Sequence, residues 1–229
     1  MENREQNSTE YIAVPVWDIP TRVLHWLNAL TIITLAAFAI IMWKVESLGL
    51  DDEVSETLMA MLKKNHTYFG YSLAVTYTLR LIWGFAGNRY ARFSDLMSFK
   101  KEHWTAIAGN IKWYLSGFKE HPPVAIGHNP LASLFYIPLL AVLCIQVLSG
   151  ILLAGLEYEI FPGTIIKEWY GLEGVDAWGM AAEKTHVFGL YFILFFFCAH
   201  LVGLVVHEIG EMCGLLSSMI HGRKYLEKE

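Results

Sequence analysis

Residues 185–206 read THVFGLYFILFFFCAHLVGLVV. The run holds no Asp, Glu, Lys or Arg. A helix of about 20 apolar residues crosses the hydrocarbon core of a bilayer. Two histidines interrupt the run, His186 and His200. An ionisable group inside an apolar span is costly and marks function by default. The two positions are 14 apart. At 100° per residue they lie within about 40° of each other around the helix axis, and roughly 21 Å apart along it. The pair thus faces one side of a helix, with one histidine in each leaflet of a ~30 Å hydrocarbon layer.

Three further runs are long and apolar, at about Val23–Trp43, His66–Phe85 and Leu131–Leu156. Four such runs in 229 residues, 55% of them hydrophobic, leave too little polar surface for buried helices of a soluble protein, where ~45–50% apolar is usual. The first run begins late and is not preceded by a basic segment, so retention is expected despite a small-x-small site at Ala37-Phe38-Ala39. The expected fold is all-α: one integral membrane domain over residues 1–229, a four-helix bundle with spans at about 23–43, 66–85, 131–156 and 185–206.

Basic residues give the orientation. Arg4, Arg22, Arg89, Arg92, Lys100, Lys101, Lys112, Lys119, Arg223, Lys224 and Lys228 share one side. The other side has Lys44, Lys63, Lys64, Lys167 and Lys184 among many acids. Both termini are therefore expected in the cytoplasm, with lipid as surroundings. The formal charge of -5 and the absence of a basic patch argue against nucleic acid. Between the second and third spans, Trp104, Ile107, Ile111, Leu115 and Phe118 recur at helical spacing. They predict a short amphipathic helix, either in the interface or packed on the bundle ends. Asn129-Pro130 predicts a helix start: a cap, then proline at the first position.

Topology pairs the histidines by depth. His25 opens the first span from the cytoplasmic side and His66 opens the second from the outer side. His66 then meets His186, and His25 meets His200. Neutral imidazoles from two helices can fill both axial positions of a haem iron. The three cysteines form no Cys-x-x-Cys-His, so any haem is held without covalent attachment, as haem b. Gly70, Gly189 and Gly203 lie one turn from His66, His186 and His200. They leave room either for a porphyrin or for close helix packing. Arg80 and Arg22 are candidate partners for haem propionates, or for lipid headgroups. His207, seven residues after His200, is a rival inner ligand, although a place beside Glu208 at the water boundary suits an exposed or quinone-site histidine. A quinone site is expected on the cytoplasmic side, with Arg22, Arg92, His128 and His207 gathered there. The outer segment Glu157–Lys184 carries Tyr158, Ile160, Phe161, Trp169, Tyr170 and Trp178 among acids. It reads as a docking surface or as an aromatic belt on the membrane.

The chain resembles the bacterial cytochrome b561 and nickel–iron hydrogenase b-type cytochrome family. The matching stretches are Trp17-Asp18-Ile19-Pro20-Thr21-Arg22 leading to His25-Trp26, His66-x-x-x-Gly70, and Arg80-Leu81-Ile82-Trp83-Gly84. Tyr90-Ala91-Arg92-Phe93, Gly127-His128-Asn129-Pro130-Leu131, His186 with His200, and Gly222-Arg223-Lys224 follow. The resemblance implies a dihaem cytochrome b with His25, His66, His186 and His200 as ligands, and it favours His200 over His207. It further implies electron exchange with quinone in a bacterial inner membrane and with an outer-side hydrogenase or c-type cytochrome. The alternative is a stand-alone oxidoreductase acting on quinol or superoxide at the outer haem. A metal transporter fits less well, since its ligands would gather at one depth with intramembrane carboxylates.

Overall fold

The computed structural model describes residues 10–49, 51–96, 100–119, 125–171 and 177–228. Four long helices dominate it: α1 (Ile19–Ser47), α2 (Asp52–Ala86), α5 (Pro130–Tyr158) and α7 (Ala177–Glu211). Short helices α3 (Phe93–Leu96), α4 (Lys101–Leu115), α6 (Gly163–Tyr170) and α8 (Leu215–His221) join or follow them. Each long helix contains one expected span and runs past it. α2 begins 14 residues before the His66 that opens its expected span, with Asp52 and Glu53 in its first turn, where the helix dipole favours acids. The start of α5 is as expected: Asn129 Oδ1 accepts the Leu131 and Ala132 amides at 2.9 and 3.2 Å. α1, α5 and α7 are long and apolar enough to cross a membrane. α2 is as long as α7, but Asp52, Glu53, Glu56, Lys63, Lys64 and Arg80 make it less apolar.

The fold divides into two compact units. The core unit takes residues 23–82 and 135–198. Its centre is Leu73 and Tyr77 of α2, Leu143 of α5 and Ile193 of α7, with Ile32 and Leu35 of α1 packed on them. Polar groups within it pair locally. Tyr77 Oη donates to the Leu140 carbonyl at 2.5 Å, and Thr76 Oγ1 donates to Asn28 Oδ1 at 2.8 Å. In an apolar medium an unmade hydrogen bond is costly, so these bonds also fix how α2 meets α5 and α1. The outer faces of the helices are apolar, with Leu30, Val75, Leu148 and Phe188 exposed. α6 folds onto the end of α5, where Gly155 and Gly163 bring the two backbones into contact. The expected loop of residues 157–184 is thus partly helical, and its residues 172–176 lie outside those described.

The terminal unit takes residues 10–22, 83–134 and 199–228. It corrects the expectation of a wholly helical chain. β1 (Tyr11–Pro15) pairs antiparallel with β2 (Arg223–Glu227), from Tyr11 opposite Glu227 to Pro15 opposite Arg223. Two five-residue segments some 200 positions apart carry no local strand signal strong enough to announce a pairing. The pairing continues through Gly222, whose carbonyl accepts the Val16 and Trp17 amides at 2.8 and 3.1 Å. Gly222 has φ +86°, and a Cβ there would lie 2.6 Å from the Trp17 carbonyl oxygen, so only glycine fits. Asp18 ties this end together. It caps α1 by accepting the Thr21 amide at 2.9 Å, and it accepts Trp83 Nε1 and the Asn88 amide, each at 3.2 Å.

α4 buries only one residue of the apolar stripe expected from its spacing, Ile107. Ile107, Asn110 and Trp113 are buried, whereas Trp104, Ile111, Leu115 and Phe118 are exposed. Asn110 accepts the Asn129 amide group at 3.1 Å, and Trp113 packs where a Cβ on Gly210 would stand. The helix therefore packs on its neighbours through Ile107, Asn110 and Trp113 and presents the other four residues of the expected stripe outward.

Candidate functional site

In the core unit, α2 presents His66 and α7 presents His186 to one another. Their ring centroids are 6.1 Å apart and their planes cross at 72°. Two bonds of about 2 Å from imidazole nitrogens to a shared metal, plus two ring radii of about 1.1 Å, put the centroids about 6 Å apart. The spacing therefore suits an iron between the rings. The orientation of His186 is fixed from behind. Its Nδ1 lies 2.9 Å from Ser149 Oγ, and Ser149 donates to the Ile145 carbonyl at 2.7 Å. Gln146 Nε2 donates to the His186 carbonyl at 2.8 Å. Gly150 leaves room for the ring, since a Cβ there would be 3.2 Å from His186 Cε1. His66 Nδ1 is buried with no hydrogen-bond partner, while Phe38 meets its ring edge-on at 6.5 Å. Both imidazoles lie in an apolar setting, that of His186 oriented by Ser149 and that of His66 with Nδ1 unengaged, and they fit a haem. Ser149, Gln146 and Gly150 escape a reading centred on histidines. Their signal was a cluster of small and polar residues in the otherwise apolar third span.

The glycines divide. Gly70 and Gly203 have open space where a Cβ would project, as a porphyrin edge requires. Gly189 does not. A Cβ there would run into the side chain of Gln146, its Cδ at 2.9 Å. Gly189 thus lets α7 approach α5, which is the close-packing reading of this glycine. His25, in the core unit, is half-buried with its ring edge-on to Trp26 at 5.3 Å. His200, in the terminal unit, is half-buried on α7, and Arg80 is half-buried on α2.

The basic residues expected at a quinone site all lie in the terminal unit, each with its own partners. The Arg22 guanidinium reaches the Ile220 carbonyl. Arg92 Nε donates to the Gly87 carbonyl at 2.8 Å. His128 packs edge-on against Trp17 at 5.0 Å, with Asp95 at 3.6 Å from its Nδ1. His207 is the clear correction: it is buried, not exposed. Its Nδ1 is 2.6 Å from Glu211 Oε1, and the side chains of the pair are 9% and 3% exposed. Trp113 and Tyr114 of α4 cover the imidazole at 5.1 and 5.7 Å. The amphipathic helix closes over a histidine that the sequence leaves at the water boundary. His121 lies outside the described residues.

Nearby, Lys224 is buried and donates to the Ala125 and Gly127 carbonyls at 2.8 and 3.1 Å. Burial pushes its ammonium below the usual lysine range, against the pull of Cys213, Glu211, Asp95 and Glu208. Burial, with Glu211 beside it, pushes the Cys213 thiol up to about 11, so the group stays a thiol at neutral pH.

Residues 16–222 match the family described as Prokaryotic cytochrome b561. Among similar proteins is the "Probable Ni/Fe-hydrogenase B-type cytochrome subunit" of Rhizobium leguminosarum bv. viciae. It is 28% identical over 232 residues, covering 96% of this chain and 92% of the relative. The protein of that name from Bradyrhizobium diazoefficiens is 24% identical, covering 92% of this chain and 85% of the relative. The "Probable Ni/Fe-hydrogenase 1 B-type cytochrome subunit" of Escherichia coli K12 is 24% identical, covering 95% and 93%. With the family matched from the residue before Trp17 to Gly222, the chain belongs to the prokaryotic cytochrome b561 family of membrane-embedded b-type cytochromes.

Proposed function

We propose that this chain is a dihaem b-type cytochrome subunit. It carries electrons across a bacterial inner membrane between quinone and an outer-side redox protein, a hydrogenase or a c-type cytochrome. The observation that carries the reading is the His66–His186 pair, 6.1 Å apart and backed by Ser149. In this reading His66 and His186 hold the outer haem, and His25 and His200 hold the inner one. α2 is then the fourth span, which its share in the apolar core supports. Bound haem supplies a one-electron ferric–ferrous couple. The protein's part is to fill both axial positions, keep the imidazoles neutral and oriented, and exclude water from them.

The terminal pairing β1–β2 holds both chain ends together, as a cytoplasmic placement of both requires. The names of the relatives favour hydrogenase as partner and, with it, a subunit over a stand-alone enzyme. On the outer side, Phe161, Ile165 and Trp169 follow one another every four residues and are exposed. Ile165 and Trp169 on α6, with Phe161 just before it, form an exposed apolar surface on a segment packed on α5, which suits docking on the outer side.

Pyridine haemochrome assay of the purified protein should give two haems per chain. His66→Ala should remove one redox transition, and His25→Ala the other. A ratio of one, or loss of the inner haem on His207→Ala but not on His200→Ala, overturns the ligand assignment.

A further inference from the structure

We propose that Ser149 is a positioning residue for the outer haem: its hydroxyl fixes which nitrogen of His186 carries the proton and thereby sets the reduction potential of the iron that His186 holds. The proposal rests on the reading that His66 and His186 are axial ligands.

The argument starts from where the Ser149 proton goes. Ser149 Oγ is 2.7 Å from the Ile145 carbonyl, one turn earlier on the same helix, and 3.2 Å from that of Gln146. A carbonyl only accepts, so the single hydroxyl proton is engaged there. Toward His186 Nδ1, at 2.9 Å, Ser149 can then only accept. Nδ1 therefore bears the hydrogen, and Nε2 is left with the lone pair that a metal needs. Neighbouring contacts keep the ring in this setting. Gln146 holds the His186 carbonyl at 2.8 Å, and Gly150 allows Cε1 to approach α5. Ser149 is itself buried, so no water replaces the bond.

An acceptor on the far nitrogen makes an imidazole a stronger donor to its metal. Stronger donation favours ferric over ferrous iron, so the bond lowers the potential. His66 has no such partner on its Nδ1, so of the two Nδ1 atoms it is that of His186 that carries this contact.

The test uses Ser149→Ala and Ser149→Thr in the full-length cytochrome, purified with its haems. Redox titration with optical detection gives both midpoints. Electron paramagnetic resonance of the ferric state gives the ligand field at each iron. Ser149→Ala should keep two haems and raise one midpoint, by about tenfold in the ferric-to-ferrous ratio, which is 59 mV for one electron. It should also change one of the two low-spin signals. Ser149→Thr, which keeps the hydroxyl, should restore both. If Ser149→Ala moves neither midpoint nor signal while His186→Ala still removes a haem, the proposal fails and the ligand reading stands. If His186→Ala leaves both haems in place, the ligand reading itself fails. Equal loss of haem in Ser149→Ala and Ser149→Thr would mark a packing role and overturn the proposal.

Discussion

Asp18 offers a perturbation whose size can be worked from its contacts. Its carboxylate caps α1 through the Thr21 amide and also accepts Trp83 Nε1 and the Asn88 amide. Replacing a capping aspartate by alanine costs about 1 kcal/mol. The two stranded donors add about 1 kcal/mol each, at the low end of the range because the site is half-buried and water can refill it. Asp18→Ala should therefore destabilise the protein by about 3 kcal/mol. For a chain of this length 1 kcal/mol is about 2–4 °C, so the melting point should fall by about 6–12 °C. Asp18→Asn keeps an acceptor oxygen and should lose about half as much. Thermal loss of helical dichroism and of the haem band in detergent at pH 7 measures both. Burial alone would raise the Asp18 pKa, but the bonds from Thr21, Asn88 and Trp83 outweigh it and hold the carboxyl below its usual 3.8. The contribution is thus complete above 3.8 and fades as pH falls through the lower folded value. The gap between parent and Asp18→Ala should be flat from pH 7 to 5 and narrow only in stronger acid. A melting point within about 2 °C of the parent, or a gap that closes already near pH 6, would refute the account.

Three other outcomes follow from the described contacts. His207→Ala removes the 2.6 Å partner of the buried Glu211 side chain and should cost about 1–3 kcal/mol, with part of it recovered by adding Glu211→Gln; haem content should be unchanged on spectroscopy. Gly189→Leu forces Gln146 off the His186 carbonyl and should destabilise the fold by about 1–3 kcal/mol, whereas Gly70→Leu enters open space and should lower haem content with little change in the stability of haem-free protein. Serine at Phe161, Ile165 and Trp169 together should leave both haem spectra intact and slow electron transfer to the outer partner, and full coupled activity in that variant would reduce α6 to a membrane-surface cover.

The four long helices and the meeting of His66 with His186 were legible because they depend on run length within each helix, a 14-residue spacing and the alternating direction of successive helices. What the sequence hid depends on how helices meet. Ser149 is one more small residue in an apolar run until α5 lies beside α7 with their registers fixed. Gly189 reads the same whether its neighbour is a porphyrin or Gln146, because glycine reports only that something is close. α4 misleads for a further reason. It has two apolar stripes, and the longer one, through Trp104, Ile111 and Leu115, is exposed. The buried stripe centres on Asn110, a polar residue that breaks the pattern until Asn129 is seen to pair with it. His207 was misplaced for the same reason, since its cover comes from Trp113 and Tyr114, more than 90 positions away.

The motifs that carry the family resemblance do most of their work away from the His66–His186 pair. Asp18 of the first motif binds Trp83 of the third, and Phe93 of the fourth packs on Gly84 of the third. Lys224 of the last holds Gly127 of the fifth, and Gly222 of the last binds Trp17 of the first. These contacts all lie in the terminal unit and join segments as far as 205 positions apart. A cluster of this kind explains why short, scattered motifs occur together: each supplies one half of a contact whose other half sits in another motif. It explains less about electron transfer. For that the core unit matters, where Ser149 and Gln146 hold His186 and neither belongs to a motif. If Ser149 tunes His186 as proposed, a protein could keep every motif of the terminal unit and still differ in the potential of the haem that His186 would hold, through a single hydroxyl on α5.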